Sequence, residues 1–224
     1  ALLMEEFGVK EGVSIKLKKF IPVSAGMAGG STDAAAVLVG VNRMFDLGFT
    51  KKELMERGVK LGADVPYCIM RGTALSEGIG EILTELPAPP QCHLVIAKPQ
   101  ISVSTKAVYG KLRVNELAPE EHPDIDGMMA AIKNGDLDGV IERLGNVLET
   151  VTVPDHPEIA EIKEIMVENG ASGSLMSGSG PTVFGIYKDR ELAEKACQAL
   201  READGGRLTR QVYLTEFYNR KKAR

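Results

Sequence analysis

The sequence predicts an α+β protein of two domains, and three observations carry that expectation. From residue 92 onward the expected elements run strand, helices, strand, strand, helix, strand, the split βαβ or ferredoxin-like order with extra helices in the first crossover. Three prolines within Pro87-Ala-Pro-Pro90 stop both helix and sheet and mark a linker. Ahead of that linker the pattern differs: a strand, a glycine-rich loop and then helices. The expected division is 1–87 and 88–224.

Each element has its own signal. Ala1-Leu-Leu-Met-Glu-Glu-Phe7 reads as the end of an amphipathic helix. Val13, Ile15 and Leu17 alternate with Ser14, Lys16 and Lys18, a strand with one wet face that Pro22 ends. Beyond the loop 22–32, Ala34, Ala35 and Ala36 begin an apolar run to Leu47, a helix able to pack closely with Ser31 or Thr32 as its N-cap. Thr50 and Glu53 form a capping box for a second helix that ends between Gly58 and Gly62. Short strands are expected over 67–70, 73–77 and 81–83, and a buried strand over 94–97. Helical patterns follow at 105–112, 126–132 and 137–148. Asp155 is expected to cap a helix that buries Ile159, Ile162, Ile165 and Met166 and closes at Gly170. Strands over 173–176 and 182–187, a helix capped by Asp189 and running to about 203, and a strand over 210–217 complete the chain.

Composition excludes several classes. With 44% hydrophobic residues and a net charge of -4, the chain is not disordered. It has no run of about 18 apolar residues, so a membrane partner is not expected. A pI near 5.6 argues against nucleic acid. The basic run Arg220, Lys221, Lys222 and Arg224 reads as a solvated terminus. Cys68, Cys92 and Cys197 form no CxxC pair and read as reduced, buried thiols of a cytoplasmic protein. No secretory signal precedes the first strand pattern. His93, His122 and His156 are too scattered to suggest a metal site, and no metal ligands are assigned.

Glycine is in surplus, 24 of 224 residues or about 11% against a usual share of about 7%. The surplus gathers in two places. In the loop Pro22-Val23-Ser24-Ala25-Gly26-Met27-Ala28-Gly29-Gly30-Ser31-Thr32, glycines let the backbone turn sharply and bring N–H groups to a ligand. The helix start that follows adds N–H groups and a positive dipole end, and Ser31 and Thr32 add hydroxyls, so phosphate is the natural guest. The plainer reading is a tight strand-to-helix turn. The loop is not a P-loop, because no Lys lies between Lys19 and Lys51, and it lacks the GxGxxG dinucleotide pattern.

The loop does resemble the central motif of the GHMP kinases, Pro-x-x-x-Gly-Leu-Gly-Ser-Ser-x-Ala. Pro22, Gly26, Ser31 and Ala34 fit with one extra residue, Met27 stands for Leu, and Thr32 stands for the second Ser. In that family the loop holds the ATP triphosphate. The second glycine cluster, Ser177-Gly178-Ser179-Gly180 before Pro181-Thr-Val-Phe184, resembles the family's third motif, a glycine turn between two strands. Taken alone it reads equally as a hairpin turn.

Gly62-Ala-Asp-Val-Pro66 puts the Asp64 carboxylate in a constrained turn before a strand. Phosphoryl transfer to an alcohol needs a group to accept or orient the hydroxyl proton, and Asp64 suits that role. An Asx-turn is the local alternative. With Gly72-Thr-Ala and Glu77-Gly-Ile-Gly-Glu81, this segment is similar to GHMP kinases of isoprenoid precursor synthesis that act on a cytidine diphosphate derivative, and their catalytic Asp falls at Asp64. Asp33 reads as support for its helix, and Glu77 and Glu81 are given no acid or metal chemistry. The segment Ile101 to Tyr109 resembles the one that enters the cytidine pocket, with Tyr109 at the position of a stacking aromatic and Thr105 one helical turn earlier. Tyr109 is otherwise a half-buried helix residue.

The resemblance implies a ribosomal-S5-like ATP domain followed by a ferredoxin-like C-terminal substrate domain. It implies ATP and Mg²⁺ as cofactors, a small-molecule substrate, and a monomer or homodimer. Family members carry a strand with a Lys near the catalytic Asp, which nothing before residue 13 matches, so the ATP domain is expected to be incomplete and charge beside Asp64 to be lacking. Another GHMP kinase, of the mevalonate or homoserine type, and a non-catalytic nucleotide-binding relative remain open alternatives.

Overall fold

The computed structural model describes residues 2–218. The basic run at 220–224 lies outside the described residues. The chain divides into two compact units, residues 1–23 with 28–85, and residues 24–27 with 86–224.

The first unit is mainly helical: α1 (Leu2–Glu6), α2 (Gly29–Met44), α3 (Lys51–Gly58) and α4 (Val65–Met70), then the strands β1 (Thr73–Glu77) and β2 (Ile82–Leu86), which pair with each other. Ala35, Leu38 and Val41 repeat at helical spacing on α2 and meet Leu54 of α3 and Val65 and Ile69 of α4 in one apolar cluster. The capping box at Thr50 and Glu53 forms as expected: the Thr50 hydroxyl accepts from Glu53 N–H, and Glu53 accepts from Thr50 N–H at 2.8 Å. The Asn42 amide donates to Phe49 O at 3.0 Å and accepts from Phe49 N at 3.1 Å, which closes the α2–α3 connection.

Four expectations fail in this unit. Residues 13–18 form no strand. Their alternation is real, but a strand exists only where its N–H and C=O groups are paired, and no described strand lies beside them. Residues 67–70 are helical, because Pro66 at the start of α4 has the fixed φ that a first helical turn wants. Neither Ser31 nor Thr32 caps α2. The N-cap is Ala28, in the left-handed region at φ 47, and the Thr32 hydroxyl donates back to Ala28 O at 3.0 Å. Asp33 sits beyond the first turn and pairs with Lys19 at 2.5 Å rather than serving the helix end.

The second unit runs β3 (His93–Pro99), α5 (Thr105–Lys111), α6 (Ile125–Asn134), α7 (Leu137–Glu142), α8 (Glu149–Asp155), α9 (Glu158–Glu168), β4 (Gly173–Met176), β5 (Val183–Tyr187), α10 (Arg190–Glu202) and β6 (Thr209–Glu216). The sheet order is β4-β5-β3-β6 with every pair antiparallel, the ferredoxin-like arrangement. In register, Val95 faces Gly185 on one side and Leu214 on the other. Alternation then splits the sheet into two faces. Val95, Ala97, Val183 and Tyr187 pack with Ile159, Ile162 and Met166 of α9 and with Ala193, Ala196, Cys197 and Leu200 of α10. Leu94 and Ile186 pack on the opposite face with Leu137, Ile141 and Leu144.

Here too two boundaries differ. The pattern read as one helix over 137–148 breaks after Glu142, and α8 begins at Glu149. Asp155 ends α8 instead of capping α9, whose N-cap is Pro157. Asp189 caps α10 as expected, accepting from Glu191 and Leu192 N–H at 2.7 and 3.1 Å. Cys68, Cys92 and Cys197 are free thiols, Cys92 and Cys197 buried and Cys68 half-buried. Burial pushes the Cys92 thiol up to about 11.

Candidate active site

Within the first unit, the start of α2 and the turn before α4 lie side by side. A Cβ placed on Gly62 would stand 3.9 Å from the Ser31 hydroxyl oxygen, and the Thr32 hydroxyl lies 3.5 Å from the Cys68 sulfur of α4. The first intrahelical bond of α2 is made by Thr32 N–H to Ala28 O at 2.8 Å, so the N–H groups of Gly29, Gly30 and Ser31 precede the helical ladder. That end of a sixteen-residue helix fits an anion such as phosphate.

Asp64 occupies the N-cap position of α4, and its side chain makes no capping hydrogen bond. The Asx-turn is therefore not formed, and the carboxylate is exposed to solvent. Its charge is felt locally. Burial pushes the Cys68 thiol above its ordinary range, the Thr32 hydroxyl opposes that shift, and the Asp64 carboxylate adds to it. Gly80, in the β1–β2 turn, approaches the backbone of Ala63: a Cβ there would lie 3.7 Å from Ala63 O.

Within the second unit, residues 24–27 meet the other glycine turn. The Ser177 hydroxyl donates to Gly26 O at 2.8 Å. Gly26 has φ +70, and a Cβ on it would collide with Ser177 O and lie 3.0 Å from Gly180 O, so both conformation and space demand glycine. Gly180 has φ +84 and leaves no room for a side chain beside Met176. Ser24 and Ala28 also hold left-handed backbone without being glycine, which concentrates local strain in this loop. The Ser179 hydroxyl shares a hydrogen bond of 2.8 Å with the Thr105 hydroxyl at the start of α5. Tyr109, one turn further along α5, is 61% exposed rather than half-buried, an aromatic face open to a stacking partner.

The sequence reading missed Asn146, Glu149 and Thr152. Asn146 donates to Met176 O and Gly178 O, Glu149 accepts from Met176 N–H, and Thr152 donates to Ser179 O. They act across 27 to 32 residues of sequence, and no local spacing marks them.

Two family profiles match the chain: GHMP kinases N terminal domain over residues 1–72, and GHMP kinases C terminal over 128–205. A protein of Lachnospira eligens named 4-diphosphocytidyl-2-C-methyl-D-erythritol kinase is 54% identical over 217 residues, 97% of this chain and 74% of that protein. The chain belongs to the GHMP kinases. It is a small-molecule kinase. The N-terminal match reaches residue 1, so the family likeness is not confined to the residues after 13.

A relative of the same name from Caldicellulosiruptor bescii is 50% identical over 90% of the chain and 70% of its own length. Among solved structures, a 4-(cytidine 5'-diphospho)-2C-methyl-D-erythritol kinase superposes with TM-score 0.78 at 31% identity, covering 96% of this chain and 74% of that one. A homoserine kinase of Cytophaga hutchinsonii superposes at 0.82 with 22% identity, over 95% of this chain and 72% of its own, a likeness of fold alone. GHMP kinases are ATP-dependent kinases. Among the described residues, no group of three His, Cys, Asp or Glu side chains gathers to hold a metal. No helix among them is long and apolar enough to cross a membrane.

Proposed function

We propose that this kinase phosphorylates the 2-hydroxyl of 4-diphosphocytidyl-2-C-methyl-D-erythritol, in isoprenoid precursor synthesis, with ATP as the donor. The observation that carries this is the 54% identity over 97% of the chain to a protein of that name. ATP supplies the transferred phosphoryl group. Residues 22–32 cradle its phosphates, with the N–H groups that open α2 facing the anion. Asp64 accepts the hydroxyl proton, a role supported by a carboxylate that spends no bond on capping its own helix. Tyr109 stacks on the cytosine and Thr105 sits beside it on α5. Ser177 to Gly180 back the loop at Gly26. Mg²⁺ bound with the nucleotide would supply positive charge at its phosphates, and no residue of this chain is assigned to hold it. Because phosphoryl transfer works by positioning and charge, no covalent enzyme intermediate forms.

Residues 1–87 serve as the ATP-binding domain and 88–224 as the substrate domain, a division supported by the change of packing unit at Glu85/Leu86. We place the enzyme in the cytoplasm, which three free thiols support.

The test compares Asp64→Asn with the parent in a coupled ADP assay. Loss of a general base predicts a fall in turnover of about 10²-fold or more. Near-parental turnover would sink the assigned role. A substrate panel run beside it asks whether mevalonate or homoserine is phosphorylated; turnover of those alcohols only would reject the cytidyl substrate.

A further inference from the structure

The turn at 177–180 is not held by its own hairpin alone. Its internal bonds are Gly180 N–H to Ser177 O at 2.9 Å and Ser177 N–H to Thr182 O at 2.8 Å. Further fixation comes from the segment that joins α7 to α8. The Asn146 amide nitrogen donates to Met176 O at 2.9 Å and to Gly178 O at 2.8 Å, one carbonyl before the turn and one inside it. Its amide oxygen accepts from Leu148 N–H at 3.0 Å, which fixes the rotamer and the assignment of the amide. Three residues later, Glu149 accepts from Met176 N–H at 2.7 Å and is itself held by Lys163 at 2.6 Å.

What this clasp holds is the turn that two candidate site elements lean on. Ser177 binds the Gly26 carbonyl, and Ser179 shares its hydroxyl bond with Thr105 on the helix that carries Tyr109. With positive φ at Gly178 and Gly180, the turn has broad conformational freedom unless something outside it removes that freedom. Both donors of one amide are spent on removing it.

We propose that Asn146 is a positioning residue for the kinase: by pinning the 177–180 turn it sets the phosphate loop at Gly26 and the Thr105–Tyr109 segment at once. Its side-chain bonds go to Met176 O, Gly178 O and Leu148 N–H, all within the protein. The inference rests on the kinase reading above, in which those two elements bind nucleotide and alcohol.

The decisive variant is Asn146→Asp. It keeps the shape and the acceptor toward Leu148 N–H, but sets a carboxylate oxygen against two carbonyl oxygens. ATP affinity is read by calorimetry and KM and kcat by the ADP assay. The expected result is an ATP dissociation constant at least tenfold weaker, with KM raised for both ATP and the cytidyl alcohol. Asn146→Ala, which removes the donors without adding charge, is expected to weaken ATP at least fivefold and stands in if the aspartate variant does not fold. Leu208→Ala, a core truncation in the same unit, is expected to lower thermal stability while leaving ATP affinity within twofold. Unchanged ATP affinity in the folded Asn146 variants overturns the inference, as does equal weakening in Leu208→Ala. A parent that turns over the cytidyl alcohol while Asn146→Asp keeps its affinity overturns this inference alone. A parent that leaves that alcohol untouched, while Asn146→Asp loses ATP, overturns the substrate reading and supports the positioning role. A parent that binds no ATP overturns both.

Discussion

The two units solve the same problem, burying apolar side chains, with different success. In the second, α9 and α10 cover one face of a four-stranded sheet, and residues around α7 cover part of the other. Tyr187 lies wholly inside, its hydroxyl donating to Met166 O at 3.2 Å, and burial raises its pKa strongly. In the first, α2, α3 and α4 enclose a small cluster, while Phe20 and Val23 stand 73% and 72% exposed and Ile15 and Leu17 share that condition. The strand signal is equally clear at 13–18, by alternation, and at 94–97, by a continuous apolar run. What differs is the partner: β3 has a strand on each side, and the 13–18 segment has none among the described residues. Alternation supplies a face, and pairing decides whether there is a strand.

This contrast can be broken by measurement. Leu200→Ala, in the closed core of the second unit, is expected to cost about 3 kcal/mol, through lost transfer energy and the cavity left behind. Denaturant unfolding would show it, and a loss below about 1 kcal/mol would mean that core is less tightly packed than its burial implies. In the first unit, Thr50→Ala removes the hydroxyl that accepts from Glu53 N–H, while the Thr50 N–H bond to Glu53 stays, and is expected to cost about 1 kcal/mol, seen as an earlier unfolding midpoint. Leu17→Ala is expected to change stability by less than about 0.5 kcal/mol, because its side chain already faces water. A Leu17 loss as large as that at Leu200 would erase the distinction between the units.

The same contrast explains what was legible in the sequence. Elements with complete local signals came through: the Thr50–Glu53 box, the Asp189 cap, the strand at 173–176, and the strand order that gives the ferredoxin-like sheet. Residues 67–70 were misread because an apolar run after a proline suits a strand as well as a first helical turn. The α2 cap was misplaced because Ala28 enters the helix from left-handed backbone, a geometry no alanine announces. At the candidate site each glycine cluster was visible separately, yet the Gly26–Ser177 contact spans 151 residues of sequence. Asn146 went unnoticed for the same reason: its chemistry is a pair of distant carbonyls.

One boundary has a consequence for how such a gene can be cut. Residues 24–27 pack with the second unit, although the chain on either side of them packs with the first. A gene divided at the codon for Leu86 therefore separates the downstream piece from four residues of its own body, Gly26 among them. The two units are not interchangeable cassettes. Recombination that swaps one half would have to bring a matching tetrapeptide within the other half, so the halves of this kinase are bound to change together.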